Sequence, residues 1–97
     1  MKAYVFVDID ITDPTRYEDY KKLTAATLTP YGGKFIVRGG SRDVLEGEWN
    51  SDRTVLIEFP SKEKAKAWWS GNEYAPAKAI RQSASRARTI LLEGYEG

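Results

Sequence analysis

Residues 2–11 read KAYVFVDIDI, and alternate side chains are of one kind: Ala3, Val5, Val7, Ile9 and Ile11 against Tyr4, Phe6, Asp8 and Asp10. A period of two marks a strand with two unlike faces. No other feature restricts the fold so tightly, because a wholly aliphatic strand face must be covered by a second layer. The same parity extends that face through Phe35, Val37, Val55, Ile57 and Phe59. It sends Tyr4, Phe6, Asp8, Lys34, Ile36, Arg38, Leu56 and Glu58, with Arg88, Ile90 and Leu92, to the reverse.

The covering layer is legible too. Asp13-Pro14 supplies an N-cap acceptor and a first-turn proline, and Tyr17, Tyr20, Leu23, Thr24, Thr27 and Leu28 then recur along one stripe of a helix that Pro30-Tyr31-Gly32-Gly33 stops. Strand two is Lys34 to Arg38. Gly39-Gly40-Ser41-Arg42 interrupts it, and Asp43 to Trp49 is either a separate strand or the continuation of a bulged one. After the turn Asn50-Ser51-Asp52 comes strand Thr54 to Phe59. Pro60-Ser61 caps a second helix with Ala65, Trp68 and Trp69 on its inner side. An Ala-rich helical piece from about Glu73 to Ser85, holding only Ala77, Ile80 and Ala84 inward, leads to a last strand from Ala87 to Glu93. The order β-α-β-β-α-β with helices after strands one and three predicts an α+β, ferredoxin-like antiparallel sheet with helices on one face.

At 97 residues the chain makes one domain, 1–97, with no linker or internal repeat. It has no cysteine and no histidine, which removes disulfides, zinc fingers, His- or Cys-ligated haem and Ser-His-Asp triads. Asp8 and Asp10 complete no oxygen cage, so neither metal nor cofactor is expected. Fifteen Lys and Arg against fourteen Asp and Glu exert no broad pull on nucleic acid or an anionic membrane. The charged alternation at the start differs from a secretory signal, and no stretch approaches a membrane span, so a cytoplasmic location is expected.

The reverse face then needs a cover. Tyr4, Phe6, Ile36, Leu56, Ile90 and Leu92 together exceed what a monomer ordinarily leaves in water, which predicts a face-to-face homodimer. Between its sheets Asp8, Arg38 and Glu58 would be withdrawn from solvent, and buried charges must be paired or used. They are either an ion-pair cluster fixing the dimer's register or the catalytic groups of a pocket, Arg38 gripping a small organic acid and a carboxylate acting as base. Tyr4, Phe6, Tyr17, Tyr20, Tyr31 and Trp49 are the candidate ligand-binding aromatics. RNA-recognition domains share the layout, and Tyr4 and Phe6 could stack bases. Leu56 and Glu58 stand where that fold has aromatics, however, so nucleic acid is not expected. Arg81, Arg86 and Arg88 read as a solvated helix end and strand edge.

Asp8 to Pro14, Tyr17 and Tyr20, Tyr31 to Phe35, Val37 to Gly40, Leu45-Glu46-Gly47, Ile57 to Ser61 and Glu73-Tyr74 resemble, in order and spacing, the family called domain of unknown function DUF1330. The resemblance implies a ferredoxin-like subunit of the dimeric α/β-barrel superfamily and no particular reaction. Relatives in that wider superfamily include cofactor-independent monooxygenases, muconolactone isomerases and haem enzymes. A small-molecule binder or a cofactor-independent enzyme of monooxygenase or isomerase type is therefore expected; the alternative is a non-catalytic interaction dimer with a filled interior.

Overall fold

The alternating N-terminal segment becomes strand β1 (Ala3–Ile11) in the computed structural model, which describes residues 1–96. It is followed by helix α1 (Pro14–Leu28), a 3-10 turn (Thr29–Tyr31), β2 (Lys34–Arg38), β3 (Arg53–Phe59), α2 (Lys62–Ser70), α3 (Ala75–Ala84) and β4 (Ser85–Glu93). The four strands form one antiparallel sheet in the order β2-β3-β1-β4, the ferredoxin-like arrangement expected from the periodicity. Cα extents of 35 × 32 × 17 Å leave room for one sheet and one helical layer. One sheet face is therefore uncovered.

Local chemistry starts each helix as anticipated. The Asp13 carboxylate accepts from the Arg16 N–H at 3.1 Å, and the Ser61 hydroxyl accepts from the Lys64 N–H at 3.2 Å. Val5, Val7, Ile9, Val55, Ile57 and Phe59 are all buried beneath Tyr17, Tyr20, Leu28, Ala65, Trp68, Tyr74, Ala77 and Ala84. Trp68 anchors this core. Its ring stacks on Tyr74 at 3.9 Å, and its indole N–H, which burial would otherwise strand, donates to the Thr27 hydroxyl at 3.0 Å. Leu23, expected on the packed stripe, is instead exposed.

Strand β2 departs from simple alternation. Phe35 pairs with Ile57, but the next pairs are Val37 with Leu56 and Arg38 with Val55, so Ile36 is an extra residue in a β-bulge. One inserted residue reverses every later side chain. Val37, expected in the core, thus shares the open face with Leu56, and Arg38, expected on the open face, shares the helix side with Val55.

Residues 39–52, where Asp43 to Trp49 looked extended, contain no strand. The segment is strapped across the open face by side chains. Arg42 donates to the Ser51 hydroxyl at 2.7 Å and to the Thr54 hydroxyl at 3.1 Å, and the Trp49 ring stands edge-on to Phe6 with centroids 6.4 Å apart.

Candidate functional site

The three expected catalytic residues do not meet. Asp8 is buried on the open face, where it accepts from the Ser51 hydroxyl and from Arg88 at 2.7 Å. Burial opposes its charge, but the Ser51 hydrogen bond and the Arg88 guanidinium prevail and hold the carboxyl below its ordinary value. Glu58 lies on the same face, opposite Tyr4 and Lys34, whereas Asp8 lies opposite Thr54. Four residues of strand, about 13 Å, separate the two carboxylates. Glu58 is held between Lys2 at 3.5 Å and Lys34 at 3.4 Å. The bulge has carried Arg38 through to the helix side, where it donates to the Lys21 carbonyl at 2.7 Å and lies 4.3 Å over the Phe35 ring. Within one subunit this register does not bring Asp8, Arg38 and Glu58 together.

The six aromatic candidates divide as well. Tyr4 and Phe6 are half-buried on the open face beside Trp49, which is exposed. Tyr17 and Tyr20 are buried on the inner side of α1. Tyr31 stands apart, its hydroxyl donating to the Glu73 carboxylate at the entry to α3.

The helix side holds a polar seam instead. Tyr20 and Tyr74 share a hydrogen bond at 3.0 Å between hydroxyls, and Arg81 Nε donates to the Tyr74 oxygen at 3.3 Å. Arg81 also lies 5.5 Å from the Trp69 ring centre. It is only 4% exposed, which overturns its reading as part of a solvated helix end. Arg86 and Arg88 are exposed as expected. The spacing Ala77, Arg81, Ala84 does place Arg81 on the inner stripe of α3; charge alone argued it outward. Burial drives the Tyr74 hydroxyl pKa far up and also raises that of Tyr17, whose shift Arg53 partly offsets. Both phenols therefore stay protonated, as donors rather than bases.

Arg81 closes the polar end of a groove between β4 and the α2–α3 layer. The end beside Arg81, Gln82, Ser85 and Thr89 measures about 340 Å³, and the adjoining apolar part, between Trp69, Ala65 and Leu91, about 430 Å³. The two parts share Trp69 and Thr89. Lys66 joins Arg81 in the lining, and no carboxylate does. Among the described residues no Asp or Glu oxygen lies within 4.0 Å of Arg81.

A βαββαβ sheet with one open face and a basic helix-side groove narrows the relationships to be expected. Residues 2–95 match the family described as Domain of unknown function (DUF1330). The chain belongs to that family. Its motif resemblance is thereby confirmed over nearly the whole length. No curated protein matches this DUF1330 domain. Among solved structures, a protein of unknown function from Rhodopseudomonas palustris superposes with TM-score 0.80 at 18% identity, covering 99% of this chain and 84% of the other. A dimeric ferredoxin-like protein of unknown function from Jannaschia sp. CCS1 gives TM-score 0.75 at 17% identity, covering 97% and 100%. SnoaB, a cofactor-independent oxygenase from Streptomyces nogalater, gives 0.66 at 13%, covering 99% and 95%. These likenesses establish the ferredoxin-like fold; activity has to be argued from the site. Among the described residues no group of His, Cys, Asp or Glu could hold a metal, and no helix is long and apolar enough to cross a membrane.

Proposed function

We propose that this DUF1330 domain binds a small organic anion, flat and apolar behind its charged group, in the groove between β4 and the α2–α3 layer, and that it works as a homodimer closed across the open sheet face. One observation carries the reading: Arg81 is 4% exposed and has no carboxylate partner. A guanidinium withdrawn from water is costly unless it is paired, and only the neutral Tyr74 oxygen and the Trp69 ring relieve it here. A ligand carboxylate would complete it by the charge-assisted, two-pronged bonding that Arg favours. Trp69, Ala65 and Leu91 would cover the apolar remainder.

Binding is a better reading than acid–base catalysis because the carboxylates are misplaced for it. Asp8 and Glu58 face the other side of the sheet, tied into ion pairs that suit the register-fixing role of a dimer interface. The groove supplies donors alone. Arg81 and Tyr74 could steady a developing oxyanion, so a cofactor-independent reaction would need a substrate that ionises or reacts without a protein base. That SnoaB, on this fold, is a cofactor-independent oxygenase is compatible with such chemistry.

Calorimetric titration with naphthalene-2-carboxylate tests the proposal. Arg81→Gln should weaken binding roughly 10- to 150-fold, the loss of one charge-assisted pair of about 1.5–3 kcal/mol. Lys66→Glu, at the exposed rim of the groove, should weaken it without disturbing the buried core. Unchanged affinity in folded Arg81→Gln, or equal affinity for neutral 2-methylnaphthalene, would remove the anion site.

A further inference from the structure

The open sheet face is unevenly covered. The strap, residues 39–52, is fastened over its Asp8 end, where the Asp52 N–H donates to the Ile9 carbonyl at 2.9 Å, the Ile11 N–H donates to the Asp52 carboxylate at 2.8 Å, and Arg42 holds Ser51 and Thr54. Trp49 carries it along the sheet as far as Phe6. The next row of that face, Lys34, Glu58, Tyr4 and Leu92, receives none of these contacts. One end of the face is thick and the other bare.

The two ends differ in chemistry as well. On the strap Leu45 is 97% exposed and Val44 55%, among the exposed Asp43, Glu46 and Glu48. Among the described residues no Lys or Arg nitrogen lies within 4.0 Å of those three carboxylates. The bare end is apolar at Tyr4 and Leu92 and is rimmed by Lys2 and Lys34, which share Glu58 as one counter-charge and leave 61% and 66% of their side chains in water. Glu93, opposite Ala3, belongs to the helix side. An apolar tip edged with acids thus matches an apolar end edged with lysines. Within one chain they are kept apart, because Asp8, where the strap is fastened, lies four residues of β1, about 13 Å, from Tyr4.

A second copy can be laid on the open face with the two-fold axis running either along the strands or across them. Along the strands, strap meets strap. The three free acids of one copy then face the three of the other, and the two bare ends are left with a gap between them. Across the strands, the thick end of each copy comes over the bare end of its partner, so that shape and charge are both complementary.

We propose that the homodimer is built in this second way, with Val44 and Leu45 of each strap seated on the partner's Tyr4 end and Asp43, Glu46 and Glu48 facing the partner's lysines. The inference rests on the dimer stated under the proposed function and adds its orientation and its rim contacts.

A mixture of 15N-labelled and unlabelled protein, left to exchange subunits and then treated with a water-soluble carbodiimide, tests it, because that reagent joins a carboxylate to a lysine amine only where the two touch. Peptides of mixed isotope should link Asp43, Glu46 or Glu48 to Lys2 or Lys34. Glu46→Gln with Glu48→Gln, both at exposed strap positions, should raise the dimer Kd roughly 5- to 50-fold at low salt and less at high salt. Strap against strap would give the opposite sign, since neutralising facing acids tightens the dimer. A dimer without those mixed links, or a Kd unchanged or lowered by the double substitution, would overturn the exchange of straps while leaving the dimer itself in place. Sedimentation of the unsubstituted protein as a single subunit at micromolar concentration would remove the dimer and this inference with it.

Discussion

Asp8 shows how much a neighbourhood changes the meaning of one carboxylate. It is 5% exposed, while the side chain of its partner Arg88 is 85% exposed. Removing the charge therefore strands no buried cation, because Arg88 returns to water. The loss is that of a charge-assisted bond, about 1–2 kcal/mol, rather than the larger penalty of breaking a fully buried pair. Since the folded carboxyl titrates below its ordinary value, its stabilisation is complete above the unfolded value of about 3.9 and fades as pH falls through the folded one. Asp8→Asn should thus lower the urea midpoint at pH 7 and at pH 5 by the same amount. Below about pH 4 the two proteins should converge. A midpoint difference that persists undiminished at pH 2.5 would show that shape, not charge, holds Ser51 and the strap in place.

At the scale of elements, the strands and helices were legible wherever one period ran undisturbed. β1 alternates for its whole length and pairs on both sides, and Asp13 and Ser61 cap α1 and α2 as their chemistry requires. The misreadings have one physical origin each. In β2, five residues are too few for an insertion to show in the pattern, and the bulge moved Val37 and Arg38 to faces opposite those expected. In α3 the charge of Arg81 argued for a solvated side chain, yet aromatic Trp69 and the Tyr74 hydroxyl receive it. The bulge makes its own prediction through the residue that follows it. Gly39→Ala demands a left-handed conformation that costs about 1–3 kcal/mol and sets a methyl group against Arg53. Gly40→Ala, one residue on, meets nothing within 4 Å and adopts no such backbone. Thermal unfolding should therefore fall by several degrees for the first substitution and hardly at all for the second. Equal losses would mean that the β2 exit is not held as described.

For the whole molecule the open question is what covers the sheet. The uncovered face carries half-buried Tyr4, Phe6 and Leu56 with exposed Ile90 and Leu92, while Val37 and Trp49, also exposed, lie beside them. Contiguous apolar surface of this kind marks an interaction face, and its two carboxylates are already paired within the subunit, Asp8 with Arg88 and Glu58 with the exposed Lys2 and Lys34. A second copy can therefore approach without stranding either carboxylate, and the two-fold contact would place apolar rows against each other. Val37 and Leu92 are the apt test positions, because both are exposed on the open face, opposite Leu56 and Tyr4, and neither lines the groove. Val37→Lys with Leu92→Lys should yield a monomer by sedimentation at micromolar concentration. Four like charges facing one another across the two-fold would oppose docking, while each subunit keeps its own core. The unsubstituted protein should sediment as a dimer, with an unfolding temperature that rises with protein concentration. Naphthalene-2-carboxylate should still bind the monomer, since the groove is formed within one chain on the far side of the sheet. Should the unsubstituted protein sediment as a single subunit, the open face must serve another purpose, and the ion pairs of Asp8 and Glu58 lose their role in fixing a dimer's register.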